Sequence, residues 1–239
     1  MINLYTKSQQ AYGEFNNGDI IENKPIGFPQ DGGKLRAYSN LFYWAHATAK
    51  KDSVIGLHPH RGFEIMSIVI EGEIVHYDTL QNKWIPLNKG DVQLIQSGKG
   101  ISHAEALKKD ASIFQIWFNP DLRKTLQDEA KYIDVQGSDF PVDDNKTIIV
   151  GNGSPIKLES EGVEIDIIAF EKGKFEMNFL DENYYSIYII EGELKNDAMK
   201  VTKDDFMLIE NETSLTMEVL IKGKLICIKS PTTTSYPTY

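Results

Sequence analysis

Two short motifs hold the residues whose types and spacing could do chemistry. Leu57-His58-Pro59-His60-Arg61-Gly62-Phe63-Glu64 is answered about forty residues later by Gly98-Lys99-Gly100-Ile101-Ser102-His103-Ala104-Glu105. Successive side chains on a strand point to opposite faces, so His58 and His60 project together, roughly 6 to 7 Å apart, as do His103 and Glu105. Two such pairs facing each other can close on one ion. Three imidazoles and one carboxylate suit Fe(II), Mn, Co, Ni, Cu or Zn, whereas Ca and Mg prefer oxygen ligands. The alternative is two ordinary histidine pairs in a sheet. A single H-x-H would favour that alternative, but a second pair with strand-like sequence between favours the metal.

Such a set leaves one or two open positions on an ion that takes five or six ligands, so substrate oxygen atoms could coordinate directly. A vicinal hydroxy-ketone or an enediol would be a natural chelator. Glu105 then has two expected roles, as a ligand at rest and as the acceptor of a substrate hydroxyl proton.

The flanking residues must position these four. Pro59 fixes its own φ, pushes His58 toward an extended conformation and removes a ladder donor, which fits a strand mouth or edge. Gly98 and Gly100 allow a tight turn ahead of His103 and Glu105. Residues 1–40 read as an irregular entry with short strands, punctuated by Asn16-Asn17-Gly18-Asp19 and Asp31-Gly32-Gly33. Strand-length runs rich in β-branched and aromatic residues follow at 41–47, 64–70, 73–78, 92–96 and 112–118. Turns at Glu71-Gly72, Gln81-Asn82 and Lys89-Gly90 separate them, a pattern that argues an all-β barrel or sandwich. His46 is expected to be a packed or surface histidine, and His76 is assigned no role. Asn119-Pro120 reads as a helix N-cap followed by proline at the first helical position, opening a short helix over 121–130.

The second half repeats the first in outline. Tyr188-Ile189-Ile190-Glu191-Gly192-Glu193-Leu194 echoes Ile68-Val69-Ile70-Glu71-Gly72-Glu73-Ile74, and Lys203-Asp204-Asp205-Phe206 echoes Lys89-Gly90-Asp91-Val92. The repeat favours two barrels of one kind in tandem, divided as 1–136 and 137–239. The polar stretch 137–153 makes the crossing. Asp143-Asp144 within it reads as a solvated loop. Gly151-Asn152-Gly153 reads as a turn, since a dinucleotide fingerprint needs a third glycine and a following helix. All five histidines lie at or before position 103. The second barrel is therefore expected to be structural, with Asn178 to Asn183 standing where the first has its ligands.

From His58 through Glu105 the sequence, with HPHRGFE, IVIEGEIVHYD and KGDVQLIQSGKGISHAE, closely resembles the pirin family of bicupins. The resemblance is strongest over about residues 41–120 and continues weakly to the end. It implies two cupin-type β-barrels, the first binding metal and the second lacking the ligands. It also implies that His58, His60, His103 and Glu105 are those ligands. General cupins take a glutamate from soon after H-x-H, so Glu64 stands as the runner-up ligand or as a partner of one. The implied activity is of quercetin 2,3-dioxygenase type, in which a flavonol ring is opened by dioxygen with release of carbon monoxide. One divalent transition metal is expected, Fe(II) first. Some pirins are linked to transcription regulation through protein partners, so the competing expectation is a metal-dependent regulatory module working through the surface around Arg61, Gly62 and Phe63. A metal-dependent isomerase is a third, because one scaffold hosts many activities.

Composition narrows the partners. A chain of 239 residues suffices for one large or two small domains, and its net charge is -10. The pI near 5.0 disfavours direct nucleic-acid contact, whose affinity comes largely from Lys and Arg on phosphates. The opening residues lack the basic and apolar regions of a leader, and no apolar run approaches membrane-spanning length, so a cytoplasmic protein is expected. A small-molecule substrate and dioxygen are the expected partners. Cys227, the single cysteine, reads as a buried small hydrophobe.

Overall fold

The computed structural model describes residues 1–238. The alternating and β-branched runs form strands: β1 (Ile2–Tyr5), β2 (Ala11–Phe15), β3 (Ile20–Ile26), β4 (Leu41–Ala49), β5 (Ser53–His60), β6 (Glu64–Glu71), β7 (Glu73–Asp78), β8 (Trp84–Asn88), β9 (Val92–Gln96), β10 (Ile101–Leu107) and β11 (Ser112–Phe118). The helix α1 (Leu122–Thr125) and β12 (Lys131–Val135) close this part of the chain. Beyond come β13 (Val142–Asp143), β14 (Lys146–Val150), β15 (Glu164–Phe170), β16 (Gly173–Asn178), β17 (Asn183–Lys195), β18 (Lys200–Thr202), β19 (Phe206–Ile209) and β20 (Ser214–Pro231). No helix among the described residues is long and apolar enough to cross a membrane.

The chain divides into two compact units. The N-terminal unit takes residues 10–139, the segment 158–160 and the last few residues; the C-terminal unit takes 1–9, 140–157 and 161–235. Residues 1–9, 137–139 and 158–160 therefore fall across a single cut at 136/137, as do the last few residues. Residues 1–9 leave the first unit because β1 adds to the second unit's sheet, with Ile2 opposite Ile209 and Tyr5 opposite Phe206.

In the N-terminal unit a seven-stranded sheet of order β12-β9-β6-β11-β4-β3-β2 stands with a four-stranded sheet of order β5-β10-β7-β8. Every pairing is antiparallel, as in β6 with β11 and β10 with β5. One face of each sheet is apolar, and Ile20, Ala47, Val69 and Ile113 of the larger sheet cluster with Ile55, Ile74, Leu87 and Leu107 of the smaller. Burying each large aliphatic side chain stabilises the fold by about 1.5–3 kcal/mol relative to leaving it in water. The C-terminal unit is a sheet of order β1-β19-β17-β20-β15-β14-β13, with β16 also on β20 and β18 also on β17. Its core gathers Phe170, Ile187, Ile189, Leu194, Met207 and Leu225, among others. Cys227 is buried there, and burial pushes its thiol up.

The internal repeat is a structural one. Val69 N–H donates to Asp91 O at 3.0 Å and Gly90 N–H to Val69 O at 2.9 Å. In the second copy Ile189 N–H donates to Asp205 O at 3.0 Å and Asp204 N–H to Ile189 O at 2.9 Å.

The helix differs from expectation. Asp121, rather than Asn119, is the N-cap, its side chain accepting from Arg123 N–H, and α1 is only four residues long. Pro120 thus precedes the cap. The Asp121 carboxylate out-competes Asn119 as an acceptor because Arg123 also brings its guanidinium to it, at 2.8 and 3.0 Å. The hydrogen bonds and charge of Arg123 lower the Asp121 pKa to about 2.

Candidate metal centre

β5 and β10 are antiparallel neighbours with His103 opposite His58 and Ile101 opposite His60. That register and the two-residue period put His58, His60 and His103 on one face. Their ring centroids lie 4.8, 4.4 and 4.7 Å apart for the pairs His58–His60, His58–His103 and His60–His103. One ring nitrogen from each lies within 4.8 Å of the others. Nε2 of His60 is 3.0 Å from Nε2 of His103.

The protonation states suit cation binding. Nδ1 of His58 lies 2.8 Å from Gly56 O; a carbonyl only accepts, so Nδ1 carries the proton and the Nε2 lone pair is left for a ligand. Burial, reinforced by the neighbouring imidazoles, lowers the pKa of His60 and of His103 to about 3. Neutral imidazole is the form that coordinates a metal.

Glu105 is placed differently. The ladder between β10 and β5 shifts register between His103 and Glu105, and Glu105 lies opposite His76 of β7. The buried Glu105 carboxylate accepts from Ser67 Oγ at 3.1 Å and Gln115 Nε2 at 2.8 Å. It therefore groups, within 4.8 Å, with His103 and His76 rather than with His58 and His60. The four expected residues, with His76 added, thus fall in two triads joined at His103. His76, given no role from sequence, is in the second. Its signal was Asp78 two residues on, which shares its strand face and meets its Nε2 at 2.8 Å.

The larger sheet supplies the residues behind Glu105. Gln93, Ser67 and Gln115 are in register across β9, β6 and β11. Gln115 Oε1 accepts from Trp117 Nε1–H at 3.2 Å, which fixes its amide nitrogen toward Glu105. Trp117 stands edge-on to His60 with centroids 4.8 Å apart. Phe28 meets Trp117 at 5.5 Å, and Phe42 stacks on Phe63 at 4.9 Å. These half-buried rings make an aromatic wall beside the histidines.

Glu64 is not directed at this cluster. Its buried carboxylate accepts from Glu159 N–H at 2.7 Å, Ser160 N–H at 2.8 Å, Ser160 Oγ at 2.6 Å and Gln96 Nε2 at 2.9 Å. Three of these four bonds hold the segment 158–160, and the fourth comes from Gln96 of β9. His46 is buried against Phe114, with ring centroids 5.0 Å apart.

Two turns align the motifs. Gly62 N–H donates to Gly98 O and Ser97 N–H to Phe63 O, each at 2.9 Å. Gly62 has φ +84° and Gly98 φ +50°, the left-handed region that favours glycine.

Two antiparallel units built on one repeat, the first holding a histidine cluster between strand mouths, define a bicupin with a candidate metal centre. The solved structure of the bacterial pirin YhhW from Escherichia coli, in complex with nickel(II), has the same fold. Its TM-score is 0.83 at 19% identity, over 98% of this chain and 100% of that one. A family model described as Pirin matches residues 34–118, so this part of the chain carries a pirin domain. Pirin-like protein 2 of Arabidopsis thaliana is 34% identical over 115 residues, 48% of this chain and 30% of its own length. A Pseudomonas aeruginosa protein named "Putative quercetin 2,3-dioxygenase" is 27% identical over 210 residues, covering 84% of each chain. For most of the curated relatives it matches, the chain spans about a third of their length.

Proposed function

We propose that His58, His60, His103 and Glu105 hold one divalent transition-metal ion, with Fe(II) first among Mn, Co, Ni, Cu and Zn. The chain then acts as a metal-dependent dioxygenase of quercetin 2,3-dioxygenase type, on a flavonol or a related chelating substrate. The observation that carries this reading is the convergence of three imidazoles, one with its tautomer set by Gly56 O, beside a buried carboxylate. The name of the Pseudomonas relative supports the reaction class.

A bound ion of this kind supplies Lewis acidity toward chelating oxygen atoms and redox contact with dioxygen. The chain's own residues do the rest. Glu105 accepts the proton of a substrate hydroxyl, and the donors on Ser67 and Gln115 keep its carboxylate aimed. Phe28, Phe42, Phe63 and Trp117 offer ring faces against which a planar aryl group packs and water is excluded.

The test is elemental analysis of protein purified without added metal, beside His58→Ala, followed by oxygen uptake with quercetin. One metal per chain, lost in the variant, with quercetin-dependent oxygen consumption is the expected result. Metal without turnover removes the dioxygenase assignment and keeps the site. Absence of metal after reconstitution removes both.

A further inference from the structure

Two buried ring nitrogens beside the cluster have no partner: Nδ1 of His103 and Nδ1 of His76. Their neighbours decide what each nitrogen carries. If His103 coordinates through the Nε2 that faces His60, its proton sits on Nδ1, making that atom a donor without an acceptor. For His76 the assignment runs the other way. Asp78 Oδ1 accepts the backbone N–H groups of Leu80 at 2.8 Å and Gln81 at 2.6 Å, and Oδ2 meets His76 Nε2 at 2.8 Å. A carboxylate only accepts, so His76 is protonated at Nε2 and its Nδ1 is an acceptor without a donor.

The two unmet groups are complementary, and their rings are neighbours. His103 lies opposite Asp78, and Glu105 opposite His76, in the β10–β7 ladder. His103 and His76 are therefore diagonal neighbours, within reach for rings. Their centroids are 5.6 Å apart, and a ring nitrogen of each lies within 4.8 Å. Tyr132 stacks on His76 at 5.0 Å and 17°, holding the plane of its ring. The Glu105 carboxylate takes its hydrogen bonds from the larger sheet, accepting from Ser67 and Gln115.

We infer that His76 is a positioning residue for the metal ligand His103, accepting the His103 Nδ1–H at its own Nδ1, with Asp78 fixing its tautomer from behind. The inference rests on the metal-site reading above. The chain Asp78–His76–His103 does for this ligand what Gly56 O does for His58: it selects the tautomer, fixes the ring and raises the basicity of the coordinating nitrogen.

Two measurements test it. In the Zn(II)-loaded wild-type protein, long-range proton–nitrogen NMR should show His76 protonated at Nε2 and its Nδ1 shifted as a hydrogen-bond acceptor. His76 protonated at Nδ1, or an Nδ1 shift of the size produced by direct ligation, overturns the inference. Co(II) titration should then show His76→Phe, which keeps the ring and the stack on Tyr132, weakened about 10- to 100-fold with an altered visible spectrum. His76→Asn, whose amide oxygen falls near the position of Nδ1, should recover most of the loss. Wild-type affinity and spectrum in His76→Phe overturn the inference and leave the metal site standing. Failure of the wild type to take up either ion overturns the metal-site reading instead. If His76→Phe does not fold, the NMR result on the wild type decides.

Discussion

His60 and His103 stay neutral because burial, and then the imidazoles beside each, penalise the charged form, which lowers both pKa values to about 3. An unfolded histidine titrates near 6.5, so below that pH the unfolded chain of the metal-free protein binds protons that the folded chain refuses. The stability these groups contribute is complete above about pH 6.5 and is lost as pH falls toward 3. Thermal unfolding of metal-free protein between pH 7 and 5 should therefore show a falling Tm, and His103→Gln should flatten that fall; an identical slope would remove the two imidazoles as its cause. Glu105 invites a second prediction. Gln115→Leu leaves its carboxylate with Ser67 as the one remaining side-chain donor, and should lower metal affinity or oxygen uptake by about 10- to 100-fold. Wild-type values for both would show that Gln115 does not aim Glu105. The three histidines were legible because an i, i+2 pair declares its own face. Ser67, Gln115 and His76 were not, because a polar residue inside a strand does not say which strand will lie opposite it.

The elements hold the site through two paired turns and a strap. Gly62 and Gly98 join the turn after His60 to the turn before His103, and a Cβ on Gly62 would come within 2.9 Å of Leu122 Cδ2. Gly62→Ala should thus combine backbone strain with a clash, costing about 1–3 kcal/mol. A denaturant melt within 0.5 kcal/mol of wild type would mean that the turn adapts. Glu64 works at the same scale. In Glu64→Gln an amide NH2 faces Ser160 or Glu159 donors, so at least one buried donor loses its acceptor, at about 1–3 kcal/mol. Its expected signature is lower stability with unchanged metal content; loss of metal would restore Glu64 as a ligand. Glu64 was open in the sequence because its partners lie 95 and 96 residues further on. The same limit of local reading misplaced the helix cap. Asn119-Pro120 has the right chemistry, but Asp121 makes the cap bond because Arg123, two residues beyond it, supplies both N–H and guanidinium.

At the scale of the whole molecule the repeat was the most legible feature, since Val69 and Ile189 make the same pair of backbone bonds to matching turns. The ends of the units were not legible, because they depend on which sheet a terminal strand joins. β1 is an edge strand whose ladder to β19 is four residues long, and Ile2 and Leu4 pack against the core of the C-terminal unit. Lys7 continues the attachment, its N–H on Asp205 at 3.2 Å and its Nζ on Asp204 at 2.8 Å. Removing residues 2–5 exposes an edge of β19 and withdraws two partly buried aliphatic side chains, a loss on the order of 3 kcal/mol. That loss belongs to residues 140–157 and 161–235, although the deletion lies at the other end of the chain. Hydrogen exchange should therefore accelerate in β17, β19 and β20, while β5, β10 and the histidines between them keep wild-type protection and metal content. Acceleration confined to residues 10–139 would return the first nine residues to the unit in which a linear division puts them.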